Sequence, residues 1–290
     1  MVVRPIDFKK DFLLFIAQNG ISYAERGGML LFPEYGLAVV PVFLKDFENG
    51  TEIREPLPQA TVSGMDILYL YEDRWYHDSG IKERILARLG RFDSVFARKC
   101  RLISDREIKS DSVLIKRVRE FLERYHSYGD AKCKYRYALE YGGKIVAAAT
   151  FSFGRKISRD MADGAIVYDS YEWIRYASLP GCRIAGGMGR ILKAFVSDLE
   201  EEGVPHIEIM SYSDNEWSCG AVYTTLGFER AGERSAVEYY VNRTDFERLS
   251  KRKLLKKEPS LEDSLNSGQI PPGYVRIRNM GSVKFLLHIG

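Results

Sequence analysis

The chain has 290 residues with 43 Lys plus Arg, 40 Asp plus Glu and four His, a formal net charge of +3. Apolar residues make up 45% and charged residues 29%, an ordinary globular balance that excludes a disordered, collagen-like or disulfide-scaffolded chain. The length predicts one large domain or two modest ones, and the four cysteines (Cys100, Cys133, Cys182, Cys219) lack a Cys-x-x-Cys pair or a His at zinc spacing.

In chain order, the N-terminus (Met-Val-Val-Arg-Pro, then Asp7, Lys9 and Lys10) has no signal-peptide pattern, and no apolar stretch approaches the ~18 residues of a membrane span. No membrane association and a cytoplasmic location are therefore expected. Met29–Phe32, Leu37–Phe43 and Ile67–Tyr71 are β-rich runs bounded by Gly, Pro or Asp, and Ile81–Leu89 has a helical period closed by Gly90. Phe92–Cys100, basic toward Arg98 and Lys99, reads as a link. Ser112–Tyr125 puts Val113, Leu114, Val118, Phe121 and Leu122 on one helical face; Tyr135–Glu140 and Lys144–Phe153 form a strand pair turned at Gly142-Gly143. Then come a strand (Tyr171–Ser178), a helix (Gly187–Glu202), a strand (His206–Ser211), a short helix (Ala221–Leu226) and a strand (Val237–Val241). Leu249–Ser267 reads as a helix end and polar linker leading, past Pro271-Pro272-Gly273, to a β-type segment, Tyr274–Leu287. This order predicts an α/β fold, a mixed sheet with helices on its faces, preceded by a small α/β domain. The expected domains are residues 1–98, 99–250 and 251–290. Residues 1–98 carry 12 basic and 14 acidic side chains, which leaves 31 basic and 26 acidic for residues 99–290. That surplus is compatible with a nucleic-acid or phosphate-rich partner, but a few surplus lysines are more often a solvated surface.

Two motifs carry chemistry. Arg183-Ile-Ala-Gly-Gly-Met-Gly-Arg190 is a glycine-rich turn between a predicted strand and a predicted helix. Glycines there let backbone amides approach an anion at the helix start; a tight turn needing positive φ would use the same residues. Ser211–Phe228 starts at a strand end and carries Ser211, Asp214, Ser218 and Tyr223 into a short helix stopped by Gly227, a place where ligands commonly bind mixed sheets. Singly, Asp214 is also a good helix cap, Tyr223 a good core residue, and Ser218 a backbone partner.

Together, the strand, glycine turn, helix, strand and helix ending Tyr-x-x-x-Gly-Phe resemble the GNAT acyltransferases. The resemblance implies an acyl-CoA substrate such as acetyl-CoA, its pyrophosphate held near Arg183, Gly186, Gly187, Met188, Gly189, Arg190 and Ser211, with Tyr223 as general acid toward the leaving thiolate. The family pattern has Gln or Arg three residues before its first glycine; counted from Gly187 that position is Ile184, and counted from Gly186 it is Arg183 with Met188 in place of the second glycine. Ala97-Arg-Lys-Cys100, Phe121-Leu-Glu-Arg-Tyr-His126, Tyr171-Glu-Trp-Ile-Arg-Tyr176, Ile184-Ala-Gly-Gly187, Ser211–Phe228 and Gly273-Tyr-Val-Arg-Ile277 are similar to phage-encoded acetyltransferase-like proteins and, distantly, to the phage Mom DNA-modification proteins. That similarity implies convergence of His126, Glu172, Arg175, Ser211, Asp214, Ser218 and Tyr223 on one pocket, and DNA or a nucleotide as partner. Arg175 offers a forked donor for phosphate or carboxylate, and Asp214 or Glu172 could take a proton from an amine.

Leu31–Val40, Ile67–Trp75 and Ile81–Gly90 resemble the very-short-patch-repair type of nuclease domain. The acidic positions that such nucleases use for a divalent cation fall on Met29 and Val40, whose side chains cannot bind one. Glu34, Glu72, Asp73, His77 and Asp78 are the remaining candidates, and a degenerate docking domain without metal is expected. The expected function is acyl transfer to an amine on a nucleobase; a non-catalytic or homing-endonuclease-type DNA-binding protein and a small-molecule N-acetyltransferase are the alternatives.

Overall fold

The computed structural model describes residues 7–52, 55–57, 62, 64–104, 112–161 and 164–290; the first five residues read above lie outside them. The chain gathers into two compact units that interleave along the sequence. One comprises Met1–Lys82, Ser213–Gly220 and Glu233–Val283, the other Glu83–Tyr212, Ala221–Gly232 and Lys284–Gly290. The expected domains are consecutive; the observed units are not, because the chain changes unit five times.

In the first unit, α1 (Phe8–Gln18) precedes β1 (Ala24–Arg26), β2 (Met29–Phe32) and β3 (Leu37–Val42), then α2 (Leu44–Asn49), β4 (Asp66–Tyr71) and α3 (Glu72–His77). The sheet order is β1-β2-β3-β4, antiparallel up to β3 and parallel between β3 and β4. Every residue of β3 is buried, as a run of Leu, Ala, Val and Pro with a parallel neighbour should be. The later chain adds β14 (Glu238–Asn242), β15 (Arg248–Leu249), α8 (Lys251–Lys257), α9 (Glu262–Asn266) and β16 (Tyr274–Arg278). Val241, Val275 and Ile277 from β14 and β16 share one core with Ala38, Val40, Tyr69 and Tyr71. The segment read as a polar linker thus carries two short helices, each anchored by one buried leucine, Leu254 and Leu265.

The second unit holds α4 (Ile81–Arg88), β5 (Asp93–Phe96), β6 (Arg101–Ser104), α5 (Ser112–Tyr125), β7 (Tyr135–Tyr141), β8 (Lys144–Phe151), β9 (Arg155–Met161), β10 (Gly164–Ser178), β11 (Cys182–Ala185), α6 (Gly187–Glu201), β12 (Ile207–Asp214), α7 (Ala221–Thr225), β13 (Glu229–Arg234) and β17 (Ser282–Ile289), a few terminal residues of α4, β12, β13 and β17 being counted with the first unit. Its mixed sheet has the order β13-β17-β12-β10-β8-β7-β6, with β9 pairing β10. Alternation splits the strands between two cores. Leu114, Val118, Phe121 and Leu122 of α5 cover Ala138, Ile145, Ala148 and Ala177 on one face. Phe195 of α6 packs against Tyr135, Tyr137, Phe151 and Tyr171, its ring stacked on Phe151 at 3.8 Å. The mixed α/β sheet with helices on both faces is therefore present. Phe92–Cys100 is no free link: β5 within it pairs in parallel with β11, Cys182 opposite Asp93 through Ala185 opposite Phe96. Among the described residues no helix is long and apolar enough to cross a membrane.

Candidate active site

In the second unit two parallel strands pair and then part. Asp169–Glu172 of β10 lie opposite Ile207–Met210 of β12, where their pairing ends. β10 continues along β8 with a register shift between Trp173 and Arg175, so Ile174 has no partner. A bulge bends its strand, and here it sits where β10 and β12 diverge toward their C-terminal ends, the usual ligand entrance of an α/β sheet.

Ser211, the first β12 residue past the paired stretch, has its hydroxyl 3.2 Å from the Trp173 carbonyl and 2.9 Å from the Tyr223 hydroxyl. A carbonyl can only accept, so the one serine proton goes to Trp173 and Tyr223 donates to Ser211 when both bonds form. The Tyr223 ring stacks on Phe285 at 5.0 Å and meets Phe228 and Trp173 edge-on at 5.5 and 6.3 Å. Burial pushes its phenol above the ordinary tyrosine range, and the Ser211 hydrogen bond offsets part of that rise. Gly227, at φ +88°, ends α7, and the Phe228 N–H bonds back to the Tyr223 carbonyl.

The glycine turn opens α6. Gly186 is its N-cap in the left-handed region at φ +75°, and no side chain caps the helix start. Gly187 is buried where a Cβ would come within 2.9 Å of the Tyr176 hydroxyl and 3.0 Å of Ile184 Cγ2; at Gly189 it would meet only the Leu226 side chain, at 3.3 Å. Leu226 directly follows α7, so the helix start lies beside the helix that carries Tyr223. Tyr176 and Trp173, edge-on at 6.1 Å, stand between the two motifs. Gly187→Ala is expected to lower stability by about 1–3 kcal/mol, because neither neighbour can retreat easily. Gly189→Ala should be neutral or slightly stabilising; urea midpoints of both variants check the contrast.

The basic residues of the turn have other work. Arg190 donates to the backbone carbonyls of Ala97 and Cys100, the latter at 2.7 Å, which ties α6 to the turn after β5. Arg183 is exposed over the Phe92 ring at 5.7 Å, and Met188 is half-buried. An open cavity of about 470 Å³ adjoins Gly186, lined by Phe96, Ala97, Arg98, Ala185, Gly186 and Arg190. Arg98 stands over Phe96 there at 5.2 Å. Its basic run is visible in the sequence, but only the β5–β11 pairing brings it to the glycine turn.

The remaining expected site residues divide into two groups. His126, at the end of α5, and Arg175 are close on the α5 side: Arg175 Nε donates to the Gly129 carbonyl at 3.0 Å, and the Gly129 N–H bonds to the His126 carbonyl at 2.9 Å. Burial, helped by the Arg175 and Arg84 guanidinium groups, pushes His126 down to about 3. His126 is thus neutral, not the helix-terminal cation that its position suggests. The Glu172 N–H donates to the Ser152 hydroxyl at 2.8 Å. Asp214 and Ser218, expected in the same pocket, belong to the first unit, where their oxygens accept the N–H groups of Glu216 at 2.9 Å and Gly220 at 3.1 Å. Asp214 ends β12 and its side chain closes the turn that follows, while Ser218 lies just beyond that turn.

In the first unit, the remaining metal-ligand candidates other than Glu34 are engaged with protein groups. Asp73 is 1% exposed and receives Arg248 Nε at 2.7 Å and Nη2 at 2.9 Å, while Arg248 Nη1 bonds Glu216 at 2.7 Å. Glu72 and Asp78 accept the N–H groups of Leu44 at 2.9 Å and Gly80 at 3.0 Å, and His77 Nδ1 lies 3.0 Å from the Asp245 carbonyl. Val40 is core, with Met29 packed against it. Among the described residues no group of His, Cys, Asp and Glu could hold a metal ion.

No family model and no curated protein matches the chain. Among solved structures it is similar to the ribosomal-protein-S18-alanine N-acetyltransferase from Escherichia coli (16% identity, 66% of this chain and 94% of that one, TM-score 0.34). It is similar also to a Bacillus subtilis acetyltransferase in complex with CoA (14%, 66% and 100%, 0.31). A third likeness is to a GNAT family acetyltransferase from Elizabethkingia anophelis with acetyl-CoA bound (11%, 66% and 99%, 0.32).

Proposed function

We propose that the second unit transfers an acyl group from a CoA thioester to an amine. One observation carries this reading: the parting of β10 and β12 at the bulge, with the Ser211–Tyr223 hydrogen bond in the gap. The α6 start suits the anionic pyrophosphate of CoA, since no side chain caps it. The acyl-CoA supplies an activated carbonyl. β10 backbone past Glu172, released from β12, offers N–H groups to the developing oxyanion. The amine nitrogen bonds to the carbonyl carbon, the carbon–sulfur bond breaks, and the leaving thiolate takes the Tyr223 proton. Glu172, beside the bulge on β10, takes the proton that the amine loses. Cys219 plays no part in this direct path.

We assign the acceptor amine to a nucleobase or nucleotide, with DNA as the partner; the surplus of 31 basic over 26 acidic side chains in residues 99–290 supports it. Free-thiol release from acetyl-CoA with single amines, and mass analysis of nucleosides from cells expressing the protein, test the two levels of this reading. Thiol release without altered nucleosides leaves a small-molecule N-acetyltransferase. No thiol release with any amine removes the transferase.

A further inference from the structure

On the α5 face, the register across β7, β8 and β10 sets Arg136 opposite Thr150 and Thr150 opposite Arg175. Two residues along, the same strands place Ala138, Ala148 and Ala177 under α5, so the row lies on the same face, just past the α5 core. Thr150 is fully buried and, among the described residues, its hydroxyl has no hydrogen-bond partner. A buried hydroxyl costs stability unless it is bonded, and valine would fill the same space without that cost.

Two other donors near the row are unengaged. Arg175 uses Nε on the Gly129 carbonyl at 3.0 Å and Nη1 on the Ile174 carbonyl at 2.9 Å, which leaves Nη2. Glu172, Asp130 and Glu123 favour its charge, but none forms an ion pair with it. His126 Nδ1 accepts the Tyr128 N–H at 3.1 Å, so in the neutral ring the proton sits on Nε2, which has no hydrogen-bond partner among the described residues. A guanidinium, a hydroxyl and an imidazole N–H beside a second guanidinium, Arg136, match an oxyanion.

We propose that the row Arg136, Thr150 and Arg175, with His126 at its edge, binds the carboxylate or phosphate of the acceptor, so that the amine acylated belongs to an anionic molecule. This rests on the transferase reading, since Arg175 of the row lies on β10 beside the bulge.

Calorimetric binding to the full chain without acyl-CoA tests the site apart from the reaction, using dAMP against deoxyadenosine and leucine against 3-methylbutylamine. The anionic member of at least one pair should bind about tenfold or more tightly than its neutral counterpart. The first pair reports a phosphate and the second a carboxylate. Thr150→Val should weaken that binding severalfold while leaving the melting temperature unchanged or raised, and Arg175→Gln should abolish the preference. Equal affinity within both pairs, no binding by any of the four, or unchanged affinity in Thr150→Val overturns the site. Loss of the transferase reading would show separately, as absent thiol release with anion binding intact.

Discussion

Tyr223→Phe is expected to lower acyl-CoA-dependent thiol release by about 10²-fold or more, the usual worth of a positioned general acid. The variant keeps the ring and its packing on Phe285, Phe228 and Trp173, so the loss should fall on turnover and not on acyl-CoA affinity. Removing the Tyr223–Ser211 hydrogen bond should cost only about 0.5–1.5 kcal/mol of stability. Because burial raises the Tyr223 phenol, it stays protonated above the pH at which an exposed tyrosine ionises, and the alkaline fall of activity should begin correspondingly higher. Equal turnover in the two proteins removes the tyrosine from the mechanism. A Ser211→Ala variant with a smaller loss would fit a residue that orients the phenol.

The second large effect is on stability. Arg248 is surrounded by Asp73, Glu216 and the faces of Tyr71 and Tyr239, at 4.5 and 5.8 Å, in the interior of the first unit. Arg248→Leu strands two buried carboxylates and should cost about 3–5 kcal/mol; adding Asp73→Asn and Glu216→Gln should recover much of it, because the uncompensated charges are then gone. Asp73 takes two of the guanidinium hydrogen bonds and Glu216 only one. Burial, together with the charges of Asp214 and Asp73, outweighs the pull of Arg248 and pushes the Glu216 carboxyl up to about 7. The folded state therefore binds more protons than the unfolded one above the ordinary carboxylate range, and stability should fall as pH rises toward 7. Glu216→Gln should flatten that slope in urea titrations run from pH 5 to 8. A slope unchanged by the substitution would mean that Glu216 is ionised throughout.

What was legible in the chain was local. The Gly142-Gly143 turn, both at positive φ, joins β7 to β8 as the pattern implies, and α5 and α6 follow their helical periods. The likeness of Ser211–Phe228 to a transferase motif puts Ser211 and Tyr223 together, and they are hydrogen-bonded. Other features depend on distant partners. β5 reads as a link because its parallel partner, β11, lies some ninety residues on and leaves no local sign. For the same reason Arg190 reads as an anion ligand, although the carbonyls that hold it come from residues 97 and 100. Asp214 and Ser218 read as site residues because they share the Ser211–Phe228 block with Tyr223; their side-chain oxygens accept the N–H groups of Glu216 and Gly220. Thr150, inside the apolar run of β8, gives no signal in the sequence, since its lack of a partner exists only in the folded sheet. The α1 helix is not among the predicted elements, although Phe8, Phe12 and Ile16 recur every four residues behind Asp7, whose side chain accepts the Lys10 N–H at 3.3 Å.

Amide hydrogen exchange of the full chain with and without acetyl-CoA goes most directly to whether a thioester sits in the gap between β10 and β12. Slowed exchange at residues 187–190 and again at residues 173–175 is predicted, and Tyr223→Phe should retain both. Exchange unchanged at both places under saturating acetyl-CoA, or slowed only at sites elsewhere, would contradict the assignment.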